Sequence, residues 1–162
     1  MPKKNKQLFN WVGSKYRHTE FLLQHVPKKY NTYIEPFCGT SSLYFALKPK
    51  KAILSDINKY LVILLQLVKD QPQKLVTRSK RYSDVHECMY NLVKSQFNAK
   101  ILKGKPIDVD AVCRFIYLIK YGYGHIMSLR KDKTFGNGFM KRLEQSVKDL
   151  FDSEAIEMCS KI

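Results

Sequence analysis

The fold class of this chain follows from residues 33–58, YIEPFCGTSSLYFALKPKKAILSDIN. Its apolar start at 33–37 predicts a buried β-strand, and the apolar residues 52–55 predict a second strand. Between them, small residues break the first strand and a helix follows, which Pro49 ends. Two strands joined by one helix predict parallel pairing, so this stretch is expected to form a βαβ unit of a nucleotide-binding sheet.

Hydrogen-bonding side chains mark the helix starts in this unit. Thr40 or Ser41 is expected to cap the helix after the first strand, and Asn58 the helix after the second. The apolar positions of that second helix repeat with a helical period, at Leu61, Leu64, Leu65 and Val68. A shorter helix is predicted before the unit, at 16–26, with one apolar face formed by Phe21, Leu22 and Val26.

The chain changes character after these helices, where strand signals disappear. Helices are predicted at 84–98 and 108–121, and the second is expected to be mostly buried because its apolar stripe is wide. Its polar edge is predicted to consist of Asp110, Arg114, Tyr117 and Tyr121. Four glycines predict a loop at 122–140, and a last helix is predicted at 141–151.

Composition favours a nucleic-acid-binding protein inside a cell. Lys and Arg number 29 against 14 Asp and Glu, a formal charge of +15 over 162 residues, and a folded protein this basic usually faces a polyanion. The alternative is an AT-rich genome, which inflates the lysine content. Cysteines and histidines lack the spacing of a disulfide frame or metal site. With no signal peptide and no membrane-length apolar run, a cytoplasmic protein of a prokaryotic or viral host cell, without a membrane partner, is expected.

Three short motifs indicate a small-molecule site near the ends of the predicted strands. Trp11 to Lys15 form an N-terminal loop with an aromatic ring, a glycine and a cation, and Gly39 lets the backbone approach a ligand closely. Asp56 lies seventeen residues after Gly39, near the spacing of a ribose-binding acid in such units. Each motif has an ordinary alternative: a core tryptophan, a plain turn and a helix N-cap.

Together the motifs resemble those of the Dam-type DNA adenine methyltransferases. FNWVGSKY at 9–16 is similar to their F-x-W-x-G-G-K-Y, with Ser14 for the second glycine, and E-P-F-x-G and S-D-I-N follow at 35–39 and 55–58. The resemblance implies part of a Rossmann-like sheet that binds S-adenosylmethionine. By matching position, it implies cofactor contacts at Trp11, Lys15 and Asp56, in a pocket also lined by Phe37 and Gly39.

The resemblance extends into a helical DNA-recognition region. YLIKYGYG at 117–124 is similar to the family's Y-L-x-R-x-G-Y-N, and 135–142 resembles its F-N-x-P-F-G-R loop. The resemblance and the net charge imply contacts with double-stranded DNA, for which the candidates are Arg114, Lys120, Tyr123, Arg130, Lys141 and Arg142. Gly124 and Ser128 depart from the family pattern, so little sequence preference is expected.

One family element has no counterpart in the 162 residues. The catalytic D-P-P-Y motif would follow the recognition region, but the last proline is Pro106. The resemblance therefore implies a chain of DNA methylation or restriction–modification that is inactive alone. It would be a fragment, one subunit of a split enzyme whose second chain carries D-P-P-Y, or a catalytically dead protein that binds S-adenosylmethionine or DNA. A cofactor-free basic DNA-binding module is the rival interpretation.

The expected organisation is an α/β fold in three parts. Residues 1–70 would form the cofactor-binding βαβ part, and 71–142 the helical DNA-recognition region. Residues 143–162 would return toward the missing catalytic half.

Overall fold

The computed structural model describes residues 7–144 and 149–162 of the chain. Within those ranges it contains two short strands and seven α-helices. In chain order they are α1 (Thr19–Gln24), β1 (Tyr33–Glu35), α2 (Ser42–Leu47), β2 (Ala52–Leu54), α3 (Lys59–Asp70), α4 (Pro72–Ser79), α5 (Glu87–Leu102), α6 (Val109–Tyr121) and α7 (Ser153–Ser160). Short 3-10 turns cover Lys15–His18, Lys80–Tyr82, Tyr123–His125 and Lys141–Leu143. No helix in the described part is long and apolar enough to cross a bilayer.

The two strands lie side by side and parallel, joined by α2. Ile34 of β1 pairs with Ile53 of β2, and backbone bonding continues past the strands, where Cys38 N–H donates to the Ser55 carbonyl (2.9 Å). The predicted βαβ unit and the α/β class are thereby confirmed, while a larger Rossmann-like sheet stays a prediction. Because parallel strands run in one direction, the segments after β1 and β2 emerge at the same edge.

The prediction of a buried strand at 33–37 is wrong in both length and burial. The strand ends at Glu35, and Pro36 after it has no N–H to donate to a ladder. Ile34 and Ile53 are 60% and 57% exposed, whereas Glu35 is only 7% exposed. Side chains alternate between the faces of a sheet. None of the described residues covers the face that carries the two isoleucines well enough to bury them.

One of the two capping predictions is confirmed and the other is wrong. Asn58 caps α3, since its Oδ1 accepts a hydrogen bond from the backbone N–H two residues on (3.1 Å). The residue before α2 is Ser41, whose backbone is left-handed (φ 52°) and whose side chain makes no capping bond among the described residues. The Thr40 hydroxyl bonds to the Ser42 hydroxyl at 3.2 Å instead. Neither side chain predicted to cap α2 does so.

Helix α6 is the centre of the hydrophobic core. It packs against α3, α4 and α5, and its burial confirms the mostly buried helix predicted at 108–121. Tyr117 and Tyr121 are also buried, so the prediction that they belong to a polar edge is wrong. Their rings pack together with centroids 4.9 Å apart, and the Tyr117 hydroxyl donates to the Asp84 carbonyl (2.9 Å). That bond satisfies the polar atom inside the core, so the ring can be buried.

Helix α1 confirms a helix within 16–26, but its apolar face is narrower than predicted. Phe21 is 61% exposed, and its ring packs on His25 with centroids 4.5 Å apart. Leu22 and Val26 are half-buried. The prediction that Phe21 shares their face is therefore wrong.

The C-terminal helix starts later than predicted. At 141–151 the structure has one 3-10 turn, Lys141–Leu143, and residues 145–148 of that prediction lie outside the described residues. Helix α7 begins at Ser153 because the Asp152 carboxylate caps it, accepting N–H bonds of 3.0 and 3.2 Å from the first turn. It packs back against α3 and α4.

Candidate functional site

A cavity of about 280 Å³ opens at the edge where β1 and β2 end. Its walls come from the N-terminal loop 11–15, the turn 37–40 and the segment after β2. All five residues that the sequence predicts as cofactor contacts line it: Trp11, Lys15, Phe37, Gly39 and Asp56. Glu35 and Ser42 add to the polar part of the lining. The fold thus brings together three segments that are distant in sequence.

Trp11 connects this cavity to the core. Its ring packs edge-to-face on Phe9 with centroids 5.9 Å apart and lies 6.0 Å from the Phe115 ring. Its indole also borders Gly39, where an added Cβ would lie 3.6 Å from Trp11 Cδ1. Gly39 has a φ of +52°, which glycine adopts without strain. Trp11 is therefore both a core residue and a wall of the cavity.

Asp56 ties the two strand ends together. Its Oδ2 accepts a hydrogen bond from Gly39 N–H (2.9 Å), and its Oδ1 accepts one from Asn58 N–H (2.8 Å). Since Asn58 is the cap of α3, the N-cap alternative for Asp56 is wrong. Each carboxylate oxygen has a further lone pair. The side chain therefore keeps acceptor capacity toward a ligand in the cavity that it lines.

Glu35 is a site residue that the sequence analysis did not single out. Its buried carboxylate accepts a hydrogen bond from the Tyr33 hydroxyl (2.9 Å), and its Oε1 lies 3.7 Å from Lys15 Nζ. Burial raises the pKa of the Glu35 carboxyl, and the Tyr33 hydrogen bond and the Lys15 charge oppose that rise. The available signal was an acid at the last position of a strand, immediately before the turn that borders the cavity.

Three hydroxyl groups join the N-terminal loop to the start of α2. The hydroxyl oxygens of Ser14, Thr40 and Ser42 lie 3.1 to 3.2 Å from one another. Ser14 stands where the family pattern has a glycine, which offers no hydroxyl. This serine therefore fastens the loop 11–15 to the turn that borders the cavity.

The loop after α6 forms a second, basic surface. Leu129 pairs with Phe135 in an antiparallel bridge, so residues 128–136 form a hairpin, called here the basic hairpin. Its exposed tip carries three cations, Arg130, Lys131 and Lys133. The sequence analysis singled out only Arg130, because a glycine-rich loop does not show by itself which of its residues form the tip.

The other predicted DNA contacts differ in exposure. Tyr123, Lys141 and Arg142 are exposed, and Lys141 Nζ lies 3.7 Å from a Glu87 carboxylate oxygen. Lys120 and Arg114 are half-buried on α6. The Lys120 ammonium donates to the Asp149 carbonyl (2.5 Å), and Arg114 Nε is buried with no hydrogen-bond partner among the described residues. The structure thus places four of the six predicted contacts on the surface and two partly inside.

Comparison with known proteins gives matches over most of the chain. Residues 11–161 match the family described as D12 class N6 adenine-specific DNA methyltransferase. The type II methyltransferase M1.LlaDCHI of Lactococcus lactis subsp. cremoris is 25% identical over 162 aligned residues, which cover 93% of this chain and 56% of that protein. The DNA adenine methylase of Escherichia coli (strain K12) is 33% identical over 121 residues, 75% of this chain and 42% of that protein. The chain spans about half the length of the curated relatives it matches.

Proposed function

Because the chain belongs to the D12 class of N6 adenine-specific DNA methyltransferases, we propose that it provides the S-adenosylmethionine-binding and DNA-binding parts of an adenine methylation reaction. The family assignment confirms the resemblance to the Dam-type enzymes. The observation that best supports the cofactor proposal is that Trp11, Lys15, Gly39 and Asp56, from three separate segments, surround one cavity.

The donor set of this cavity fits S-adenosylmethionine. That molecule carries a carboxylate, an ammonium group, a ribose diol and an adenine ring, and it supplies an activated methyl group when bound. Lys15 offers a cation to the carboxylate, Glu35 an acceptor to the ammonium, and Asp56 two oxygens to the diol. Trp11 and the exposed Phe37 offer aromatic surface to the adenine ring. Each part of the cofactor has a complementary partner in the lining.

Double-stranded DNA is the proposed substrate. The basic hairpin presents three cations on an exposed tip, and Tyr123 and Arg142 are exposed on the same part of the chain. Cations that neutralise phosphates make binding fall with salt, by a log–log slope of about −0.9 per phosphate. We expect a steep slope for the wild type and a slope about 0.9 shallower for Arg130→Ala. A flat salt dependence would contradict DNA binding by this surface.

The proposed functions belong to successive parts of the chain. Cofactor binding lies in 1–70, DNA recognition in 71–142, and 143–162 is the return segment. These parts share one core, in which Tyr60 of α3 stacks on Phe115 of α6 with centroids 4.8 Å apart. This ring pair therefore packs the two proposed parts against each other.

Methyl transfer requires a group that holds the adenine amino nitrogen toward the cofactor. In the family that group is D-P-P-Y, which the 162 residues do not contain. We propose that the 162-residue polypeptide binds without methylating, and that a second polypeptide carrying D-P-P-Y restores the reaction. Tritiated methyl transfer to adenine-containing duplex DNA measures this. Robust turnover by the purified single chain would contradict it.

The sole tryptophan makes cofactor binding directly measurable. Trp11 is the only tryptophan of the sequence and lines the cavity. Titration with S-adenosylmethionine should change its fluorescence and reach saturation, and calorimetry on the same solution should give the same affinity. A Trp11→Phe variant supplies the blank for emission from tyrosine and from the ligand. The cofactor-free DNA-binding module predicts neither a saturable fluorescence change nor heat of binding.

A further inference from the structure

Three side chains in one row on α5 hold the loop that carries the basic hairpin. Tyr90, Lys94 and Asn98 are spaced four residues apart, so they lie on one face of the helix. Asn98 makes two hydrogen bonds with the backbone of Phe135: its Nδ2 donates to the carbonyl (3.1 Å), and its Oδ1 accepts from the N–H (2.7 Å). One amide side chain thereby fixes both polar groups of a hairpin residue.

Lys94 and Tyr90 hold the next two carbonyls. Lys94 Nζ donates to the carbonyls of Gly136 (3.2 Å) and Asn137 (2.7 Å), and the Tyr90 hydroxyl donates to that of Asn137 (3.3 Å). Burial lowers the pKa of Lys94, and the nearby Arg130 charge lowers it further. The half-buried ammonium thus donates its hydrogen bonds to backbone carbonyls of the protein and fixes the segment at the end of the hairpin.

The Asn137 side chain forms hydrogen bonds with the other side of the same loop. Its Nδ2 donates to the carbonyls of Tyr123 (2.9 Å) and Ile126 (3.2 Å), and its Oδ1 accepts from Ser128 N–H (3.1 Å). A continuous chain of hydrogen bonds thus runs from α5 through 135–137 to the first strand of the hairpin.

We propose that Tyr90, Lys94 and Asn98 are positioning residues that set the place of the hairpin tip, and of Arg130 above all, against DNA without contacting it themselves. This inference rests on the proposed DNA binding. A single two-stranded hairpin is marginally stable in water. The tip also carries three cations around a single acid, Asp132, so its net charge is positive. The hydrogen bonds from α5 therefore hold the tip in one arrangement toward DNA.

Charge-neutral substitutions separate positioning from simple electrostatics. Asn98→Ala and Tyr90→Phe remove hydrogen bonds to the loop and leave the net charge unchanged. Asn91→Ala, at an exposed position of the same helix, is the matched control. Asn98→Ala should weaken binding to duplex DNA about tenfold. Without its two hydrogen bonds, the tip is expected to adopt the DNA-binding arrangement in only about a tenth of the molecules. The control should bind as the wild type does.

Hydrogen exchange reports on the hairpin itself. The N–H of Arg130 donates to the Thr134 carbonyl and that of Gly136 to the Ser128 carbonyl, both at 2.8 Å. These two amides should exchange faster in Asn98→Ala than in the control. Circular dichroism shows whether each variant folds, and Tyr90→Phe, which removes one hydroxyl, keeps the test valid if Asn98→Ala does not fold.

A double-mutant cycle with Arg130→Ala decides whether the row acts through the tip. In the Arg130→Ala background, Asn98→Ala should cost about twofold or less, since the contact that it positions is already gone. Equal losses in both backgrounds, or no loss in either, would overturn the positioning role while leaving DNA binding by the wild type intact. A wild-type chain that does not bind DNA would overturn the proposed function, and this inference with it.

Discussion

Replacement of Asp56 by alanine tests the cofactor site most directly. Each of its carboxylate oxygens accepts one backbone N–H, from Gly39 and from Asn58, and the side chain lines the cavity. Hydrogen bonds to a charged group contribute about 1.5–3 kcal/mol. Loss of the proposed diol contacts should therefore weaken S-adenosylmethionine binding by about 1.5–3 kcal/mol, roughly 10- to 150-fold.

The same substitution also removes two internal hydrogen bonds, so stability must be measured beside affinity. The two freed N–H groups border an open cavity where water can reach them, and the free energy of unfolding should fall by only about 1–2 kcal/mol. Asp56→Asn separates the two effects, since it keeps an amide oxygen for one N–H and loses the charge. Calorimetry and Trp11 fluorescence give the affinity, and denaturant unfolding gives the stability. Asp70→Ala, at an exposed acid at the end of α3, is the matched control.

Two results would contradict the proposed contact between Asp56 and the cofactor. If Asp56→Ala binds S-adenosylmethionine as tightly as the wild type, the carboxylate does not contact the cofactor and serves only to join the strand ends. If Asp70→Ala loses as much affinity as Asp56→Ala, the loss reflects net charge and not a contact in the cavity. Any partner polypeptide that raises the wild-type affinity belongs in all of the measurements.

Ser14, Gly122 and Glu35 allow three further tests by substitution. Ser14→Ala and Ser14→Gly both remove the hydroxyl that joins the loop to α2, and each should weaken S-adenosylmethionine binding about three- to tenfold by calorimetry; wild-type affinity in both would contradict that role. Gly122→Ala should lower the free energy of unfolding by about 2–4 kcal/mol, because its Cβ would overlap with the Leu118 carbonyl oxygen. Gly138→Ala, whose Cβ would have nothing within 4 Å, is the matched control. Burial raises the pKa of Glu35 in the folded chain, so its contribution to stability is present at low pH and is lost as pH rises through that raised value. Glu35→Gln should therefore gain stability relative to the wild type as pH rises above the usual carboxyl range; unfolding curves of the two proteins with parallel pH dependence would contradict this.

Much of the cavity at the strand ends could be predicted because it depends on local sequence and strand direction. Gly39 and Asp56 follow β1 and β2, and parallel strands place such segments at one edge whatever surrounds them. Trp11, in a loop that precedes β1 by a whole helix, was predicted from its sequence motif instead. The Asn58 cap and the burial of α6 were predictable for a similar reason, since caps and wide apolar stripes are properties of a single helix. The βαβ order, the strongest helix and five of the cavity residues could thus be predicted from the sequence, whereas Glu35 was not singled out.

Which polar groups are satisfied and which surfaces are covered depends on contacts between segments that are distant in sequence. Tyr117 can be buried because the Asp84 carbonyl, distant in sequence, accepts a hydrogen bond from its hydroxyl, and no pattern within α6 reveals that partner. Ile34 looks like a core residue in sequence but lies on a sheet face left open by the described residues. The row on α5 meets the carbonyls of 135–137 across more than thirty-five residues of chain. Hydrogen bonds and burial of this kind depend on three-dimensional neighbours, whereas helix and strand periods depend on neighbours along the chain.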